Sequence, residues 1–228
     1  MSKMDNLKSF WKYIWDILQD ALIIIAIVVL IRYFIVSPFQ VNWSSMKNTF
    51  FHWDYIFVEK ISYEFSEPKF WDIIIFTPPV PRVHQLTWFR CLVEHLNEIS
   101  LDSEVCNYAD KYIKRVIWVP WDHIKIENWA VYRNWEILEE SEYLNETNNW
   151  NTQLPTFQEQ NEFSVPEWSV FVLWDNRTWS SDSRYWKTAE WENKSFVPYN
   201  KITWKFMLRL FSPAWIFWEK EEPFLILK

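Results

Sequence analysis

The sequence predicts a mainly β protein, with a single N-terminal transmembrane helix followed by a β-rich domain. Three observations carry that expectation. Residues 21–31 form an unbroken apolar run near the start of the chain. After it come short β-branched and aromatic segments, each closed by turn signals. The length, 228 residues, suits one anchor and one moderate domain with a real core. The net charge is −7, and no basic tract or basic-aromatic stripe is present. Nucleic acid is therefore not an expected partner.

Residues 1–13 are expected to be a cytoplasmic N-terminus. Lys3, Lys8 and Lys12 precede the apolar run, and it is lysine and arginine, not the interspersed Asp5, that orient a span. Residues 14–36 are the expected transmembrane anchor. Residues 14–18 lead into the run and residues 34–36 continue it past Arg32 and Tyr33, which approaches the ~20 apolar residues that cross a bilayer. Arg32 can snorkel to the headgroups. Bulky residues 33–36 offer no small-x-small cleavage site, which favours a retained anchor over a removed signal peptide. Residues 37–228 then form an extracytoplasmic domain, held at membrane lipid.

Within that domain, residues 55–61, 72–76, 113–119, 124–126, 130–132 and 170–173 read as short strands. Two stretches read as insertions, near 78–110 and 136–166. The first holds Cys91 and Cys106, which fit a disulfide or two free thiols equally well, and has helical potential over 91–99. The second is acidic and rich in Asn, Gln and Glu, and is expected to be an exposed loop or hairpin extension. No cysteine or histidine spacing matches a metal site and no nucleotide motif occurs, so no cofactor is expected.

The composition has one abnormality. Glycine is absent and tryptophan occurs 19 times. Ordinary usage predicts roughly 16 glycines in this length. Trp53, Trp71, Trp121 and Trp174 each precede an aspartate, as glycine does in Gly-Asp turns. Trp129 and Trp135 each follow an asparagine, as in Asn-Gly turns. Trp11, Trp15 and Trp186 stand in aromatic settings. The chain reads as one in which tryptophan occupies the glycine positions throughout, leaving those three as ordinary tryptophans.

Three constellations carry possible chemistry. Ser44 and Ser45 lie side by side just beyond the anchor. The four histidines, His52, His84, His95 and His123, form no recognisable Ser/His/Asp arrangement. A lysine made neutral by burial is the other known base for a serine, and Lys114 stands within an apolar strand. Alternation puts Lys114 and Val116 on one face, which fits a buried base and equally an edge-strand lysine facing solvent. Residues 174–184 pack two aspartates, two arginines and three serines into a turn-rich segment. Such density suits a rigid loop lining a site, or a surface loop with local ion pairs.

With Trp read as Gly, residues 174–184 become GDNRTGSSDSR, 114–122 become KRVIGVPGD and 43–46 become GSSM. Residues 53–63 become GDYIFVEKISY and 68–76 become PKFGDIIIF. In order and in position after an anchor, these segments resemble the boxes of bacterial type I signal peptidases. The likeness covers roughly residues 10–125 and 165–215, and the insertions carry no family signal.

The resemblance implies a membrane-bound serine endopeptidase of the Ser/Lys type, with a signal-peptidase-type catalytic domain over 37–228. It would remove signal peptides from exported preproteins at the outer face of the cytoplasmic membrane, preferring small residues before the cut. Carried over, Ser45 is the nucleophile, Lys114 the general base and Ser180 the serine that orients the lysine. Asp175, Asp182, Arg115 and Arg184 buttress the site. Phe39, Val41, Phe50 and Ile113 line shallow apolar pockets, with core packing as the other reading for each. The Ser45 N–H supplies one oxyanion donor. Position 43 lacks the serine that provides a second donor in some members, and Asn48 stands where proline is common.

Two alternatives remain beside this reading. One is a self-cleaving Ser/Lys repressor-type peptidase, against which the anchor and the lack of a helix-turn-helix pattern count. The other is a catalytically inactive, membrane-anchored extracytoplasmic binding protein of the same fold. It draws support from Trp43, Trp121 and Trp174, which would place large rings beside the dyad. On this reasoning the chain as written folds poorly and has little activity, and a chain with glycine restored at the 16 suspect positions is active.

Overall fold

The apolar run lies inside helix α1 (Lys3–Phe34). The computed structural model describes residues 3–42, 46–47, 49–85, 107–158, 160–178, 181–187 and 194–213. Within α1, Phe10–Arg32 is long and apolar enough to cross a membrane, and none of that stretch is buried against the rest of the protein. Its 23 residues span about 35 Å as a helix, more than the ~30 Å hydrocarbon core. The helix closes as the Ser37 hydroxyl donates to the Arg32 carbonyl at 2.7 Å, satisfying one of the last unpaired acceptors. The chain then turns directly into a strand.

In chain order the strands are β1 (Val36–Gln40), β2 (Tyr55–Glu59), β3 (Ile73–Phe76), β4 (Val83–Gln85), β5 (Asn107–Ala109), β6 (Tyr112–Trp118), β7 (His123–Glu127), β8 (Ala130–Arg133), β9 (Glu136–Ile137), β10 (Glu162–Ser164), β11 (Ser169–Leu173), β12 (Val197–Pro198) and β13 (Ile202–Phe211). A short helix, α2 (Ser62–Phe65), follows β2. The main sheet has the order β1-β2-β13-β3-β6-β11-β12. A smaller sheet has the order β10-β7-β8-β9, and β4 pairs with β5. The mainly β expectation holds.

The central strands are continuous apolar runs because both faces are covered. Every residue of β3 and β11 is buried. Alternation divides β3 between two cores: Ile73 and Ile75 join Val41, Met46, Phe50 and Ile113 on one face, and Ile74 and Phe76 join Val116 and Val172 on the other. β6 lies between β3 and β11, with Lys114 opposite Ile74 and Arg115 opposite Ile73. Adjacent residues of one strand therefore send a lysine and an arginine to opposite faces.

The backbone bears on the tryptophans. Among the described residues nine non-glycine positions have positive φ, and seven are tryptophan: Trp53, Trp71, Trp121, Trp129, Trp135, Trp150 and Trp168. Five of these are among the six read as Gly-Asp or Asn-Gly turns. Asn128 and Trp129 (φ 49° and 70°) make the two-residue link from β7 to β8, and Asn134 and Trp135 (51° and 73°) the link from β8 to β9. Positive φ at both central residues is the type I′ hairpin geometry that favours Asn-Gly. Trp174 differs, since its φ lies outside the left-handed region. No backbone demand for glycine exists there. Trp118 and Trp174 instead bury an indole N–H without an acceptor, a cost no glycine would carry.

Of the two insertions, Cys91 and Cys106 lie outside the described residues. The acidic one is not simply exposed. Glu140, Leu144, Asn148 and Thr152 are buried, for a reason that the site makes clear.

Candidate active site

The site is built on the middle of β6 and the two loops that meet it. Ser44, Ser45 and Ser180 lie outside the described residues, as do Trp43 and Asn48. The chain on either side of Ser45 is firmly held. Val41 exchanges backbone hydrogen bonds with Trp53 and Asp54 (2.9 and 2.8 Å). Met46, next after Ser45, is fully buried, and its carbonyl accepts from Thr49 and Phe50 at 2.9 and 2.7 Å. The Arg209 guanidinium, from β13, donates to the Thr49 carbonyl at 3.2 Å and faces Asp54 at 3.5 Å.

Lys114 is 1 % exposed, so it is no edge-strand lysine facing solvent. Its Nζ donates to the Ile113 carbonyl at 3.0 Å and sits 4.0 Å from the Trp174 ring centroid and 4.7 Å from that of Tyr112. Burial holds its pKa well below the ordinary lysine value, and the carboxylates of Asp182 and Asp175 only partly oppose this.

Both aspartates are already committed to arginines. Arg115 grips Asp175 with two parallel bonds, Nε to Oδ1 at 2.9 Å and Nη2 to Oδ2 at 2.8 Å. Desolvation disfavours the Arg115 charge, Asp175 more than restores it, and the net shift is upward. The Thr49 hydroxyl donates to Asp175 and accepts from Arg115 Nη2 at 3.1 Å, tying the Ser45 segment to this pair. Arg184 grips Asp182 in the same way, at 2.9 and 2.8 Å. Ser183 clamps the loop onto β11, accepting from the Val172 N–H through its hydroxyl (2.9 Å) and donating its own N–H to the Val172 carbonyl (3.2 Å). Asp175, Arg177, Asp182, Ser183 and Arg184 are thus buried, and the described part of 174–184 is a scaffold and not a surface loop with local ion pairs.

With this geometry in place, the chain can be set beside known proteins. The family model described as "Signal peptidase, peptidase S26" matches residues 14–211. The chain belongs to this family. A curated relative, "Probable signal peptidase I-1" of Synechocystis sp., is 30% identical over 203 residues, covering 89% of this chain and 85% of that protein. "Signal peptidase I" of Rickettsia conorii is 27% identical over 245 aligned positions, covering 87% of this chain and 80% of that protein. A crystal structure of a signal peptidase I from Enterococcus faecalis V583 aligns at 22% identity with a TM-score of 0.36, covering 61% of this chain and 97% of that one.

For this S26 family member, the sequence-predicted residues that are described converge. Lys114, Arg115, Asp175, Asp182 and Arg184 share one buried neighbourhood. Phe39, Val41, Phe50 and Ile113 fall together in one core cluster with Met46, with Val41 and Phe50 fully enclosed, Ile113 buried and Phe39 partly open. Sequence reasoning missed Thr49, Arg209, Arg177, Tyr143 and Glu140. Arg177 lies inside the GDNR box and was within reach; Glu140 and Tyr143 lie in the acidic insertion, where no pattern marks them. Among the described residues no cluster of His, Cys, Asp or Glu is arranged to hold a metal ion.

Proposed function

We propose that the chain is a membrane-bound serine endopeptidase that cleaves signal peptides from exported preproteins with a Ser45/Lys114 dyad. The observation that carries this reading is the state of Lys114: fully desolvated, with both nearby carboxylates bound by arginines. A neutral amine at that position takes the Ser45 Oγ proton as the oxygen attacks the scissile carbonyl carbon. The carbonyl oxygen becomes an oxyanion and accepts from the Ser45 N–H. The Lys114 ammonium then gives its proton to the leaving amine, and the same amine activates the water that hydrolyses the acyl-enzyme. Ser180 orients the amine. Phe39, Val41, Phe50 and Ile113 form an apolar floor that favours small side chains before the cut. Residues 1–13 are cytoplasmic, the anchor spans the cytoplasmic membrane, and residues 37–228 face outward, close to membrane-held substrate.

A second reading, an inactive anchored binding protein of the same fold, is favoured by one observation. The Trp174 ring lies 4.0 Å from Lys114 Nζ, where it stabilises the ammonium by cation–π attraction and fills space beside the base. Cleavage of a preprotein in detergent separates the two. The chain is assayed as written and with glycine at the 16 suspect positions, each with Ser45→Ala and Lys114→Ala. Activity that disappears with either substitution supports the dyad; activity that survives both refutes it, and no cleavage by either parent chain favours the binding protein.

A further inference from the structure

We infer that the acidic segment around residues 140–153 is a positioning element for catalysis, acting through Glu140, Tyr143 and Arg177. This rests on the Ser45/Lys114 reading but adds Glu140 and Tyr143, which lie outside the family boxes, and gives Arg177, inside one of them, its partners.

The observations begin with Arg177. It is 1 % exposed, and its Nε and Nη1 make no hydrogen bond. Its compensation comes from outside its own loop. Nη2 donates to the Glu140 carboxylate and to the Tyr143 hydroxyl (2.9 Å). The Tyr143 hydroxyl in turn donates to Glu140. Desolvation opposes the Arg177 charge, but Glu140 above all restores it, with a net upward shift. Glu140 itself is 4 % exposed. A buried, hydrogen-bonded pair of this kind holds its geometry tightly, because either partner alone would be an uncompensated charge.

The same segment reaches the site at three further points. The Asn148 side-chain oxygen accepts from the Arg177 N–H at 2.8 Å, fixing the backbone of the 174–184 loop. The Gln153 carbonyl accepts from Arg184 Nη1 at 2.9 Å, on the arginine that binds Asp182. The Tyr143 ring covers the Arg115 guanidinium, 4.3 Å from its centroid, on the arginine that binds Asp175. Arg115, Arg177 and Arg184 are therefore all touched by one insertion. This explains why an acidic, polar stretch is buried. Its role is to lock Asp175 and Asp182 in one position relative to β6.

The test compares the full chain in detergent with Glu140→Gln, Glu140→Asp and Tyr143→Phe. Glu140→Gln is expected to lower kcat for a preprotein about tenfold or more with KM changed less than about twofold, Glu140→Asp to recover part of it, and Tyr143→Phe to have a smaller effect of the same kind. Hydrogen exchange gives a readout independent of activity: the Arg177, Ser183 and Arg184 amides should exchange faster while β2 and β13 keep their protection. Unchanged exchange at 174–184 overturns the inference, as does a loss of protection spread evenly over the sheet. Ser45→Ala and Lys114→Ala run in parallel. If those variants still cleave, the dyad reading fails and exchange alone decides the role of the segment. If they are dead while Glu140→Gln is fully active, only the positioning role fails.

Discussion

Replacing the seven left-handed tryptophans by glycine should stabilise the protein substantially. At Trp53, Trp71, Trp121, Trp129, Trp135, Trp150 and Trp168, φ lies between 56° and 77°. A side chain in that region costs about 1–2 kcal/mol per residue. Glycine gives back about 0.5–1 kcal/mol through the larger entropy of the unfolded chain, leaving about 0.5–1 kcal/mol per site. Over seven sites the gain is about 3–7 kcal/mol, against a total of ~5–15 kcal/mol for a folded domain. The gain is uneven. Trp121 is 77 % exposed and has little to lose. Trp71 packs on Phe70 and Tyr143 (4.5 and 4.7 Å between centroids), and Trp135 stacks on His123 at 4.1 Å. Ring pairs worth about 0.5–1.5 kcal/mol each offset the relief at those two positions. Urea unfolding followed by near-ultraviolet circular dichroism in detergent measures the outcome. With a slope of about 2 kcal/mol per molar, the midpoint should rise by roughly 1.5–3.5 M. Trp204→Gly is the control, because Trp204 lies in β13 with φ outside the left-handed region and packs against the core, so its replacement should not stabilise. A seven-site variant no more stable than the parent, or an equal gain from Trp204→Gly, would refute the argument from φ.

Two further outcomes follow from the buried charges. Lys114 has a folded pKa below its unfolded value, so its desolvation penalty is absent at high pH, where both states are neutral. The penalty appears as pH falls below about 10.5 and the unfolded chain takes up the proton. Lys114→Met should therefore stabilise the fold at pH 7 and lose that advantage above about pH 10.5, checked by urea midpoints across that range. Asp182→Asn leaves the buried Arg184 guanidinium without its carboxylate and should cost about 3–5 kcal/mol by the same measurement.

How much of this was legible in the sequence varies with how local the cause is. Residues 72–76 and 113–119 read as strands because strands buried on both faces are largely apolar runs, and β3 and β6 begin and end within one residue of those bounds. The two Asn-Trp hairpins were legible because a type I′ turn is fixed by two residues. β13, which lies between β2 and β3 in the main sheet, escaped the strand reading. In Ile202–Phe211, tryptophan, lysine and arginine interrupt the alternation, and the pairing on both sides that stabilises it is non-local. Glu140 and Tyr143 were illegible for a related reason. An acidic, asparagine-rich stretch has the composition of a solvated loop, and nothing in it reveals a buried guanidinium 37 positions away along the chain.

The arrangement around Lys114 has an electrostatic logic that needs all of these parts. A lysine becomes a base at ordinary pH only if burial disfavours its charge more than its neighbours favour it. Two aspartates nearby would by themselves defeat that, since each raises the lysine pKa. Each is instead held by an arginine in a bidentate pair, whose positive charge offsets that of the carboxylate. The arginines must then stay where they are, because a guanidinium that swung away would release a carboxylate to the lysine and return it to the ammonium form. Arg115 is fixed by strand register, by Thr49 and by the Tyr143 ring; Arg184 is fixed by the Gln153 carbonyl and, at 3.2 Å, by the Arg177 carbonyl. Arg177, with its own partner Glu140, forms a third buried pair behind the loop that carries Asp175 and Asp182. The depressed pKa of Lys114 thus depends on the pairs that hold Asp175 and Asp182, and the insertion contributes Glu140, the partner of Arg177 that the family boxes do not encode.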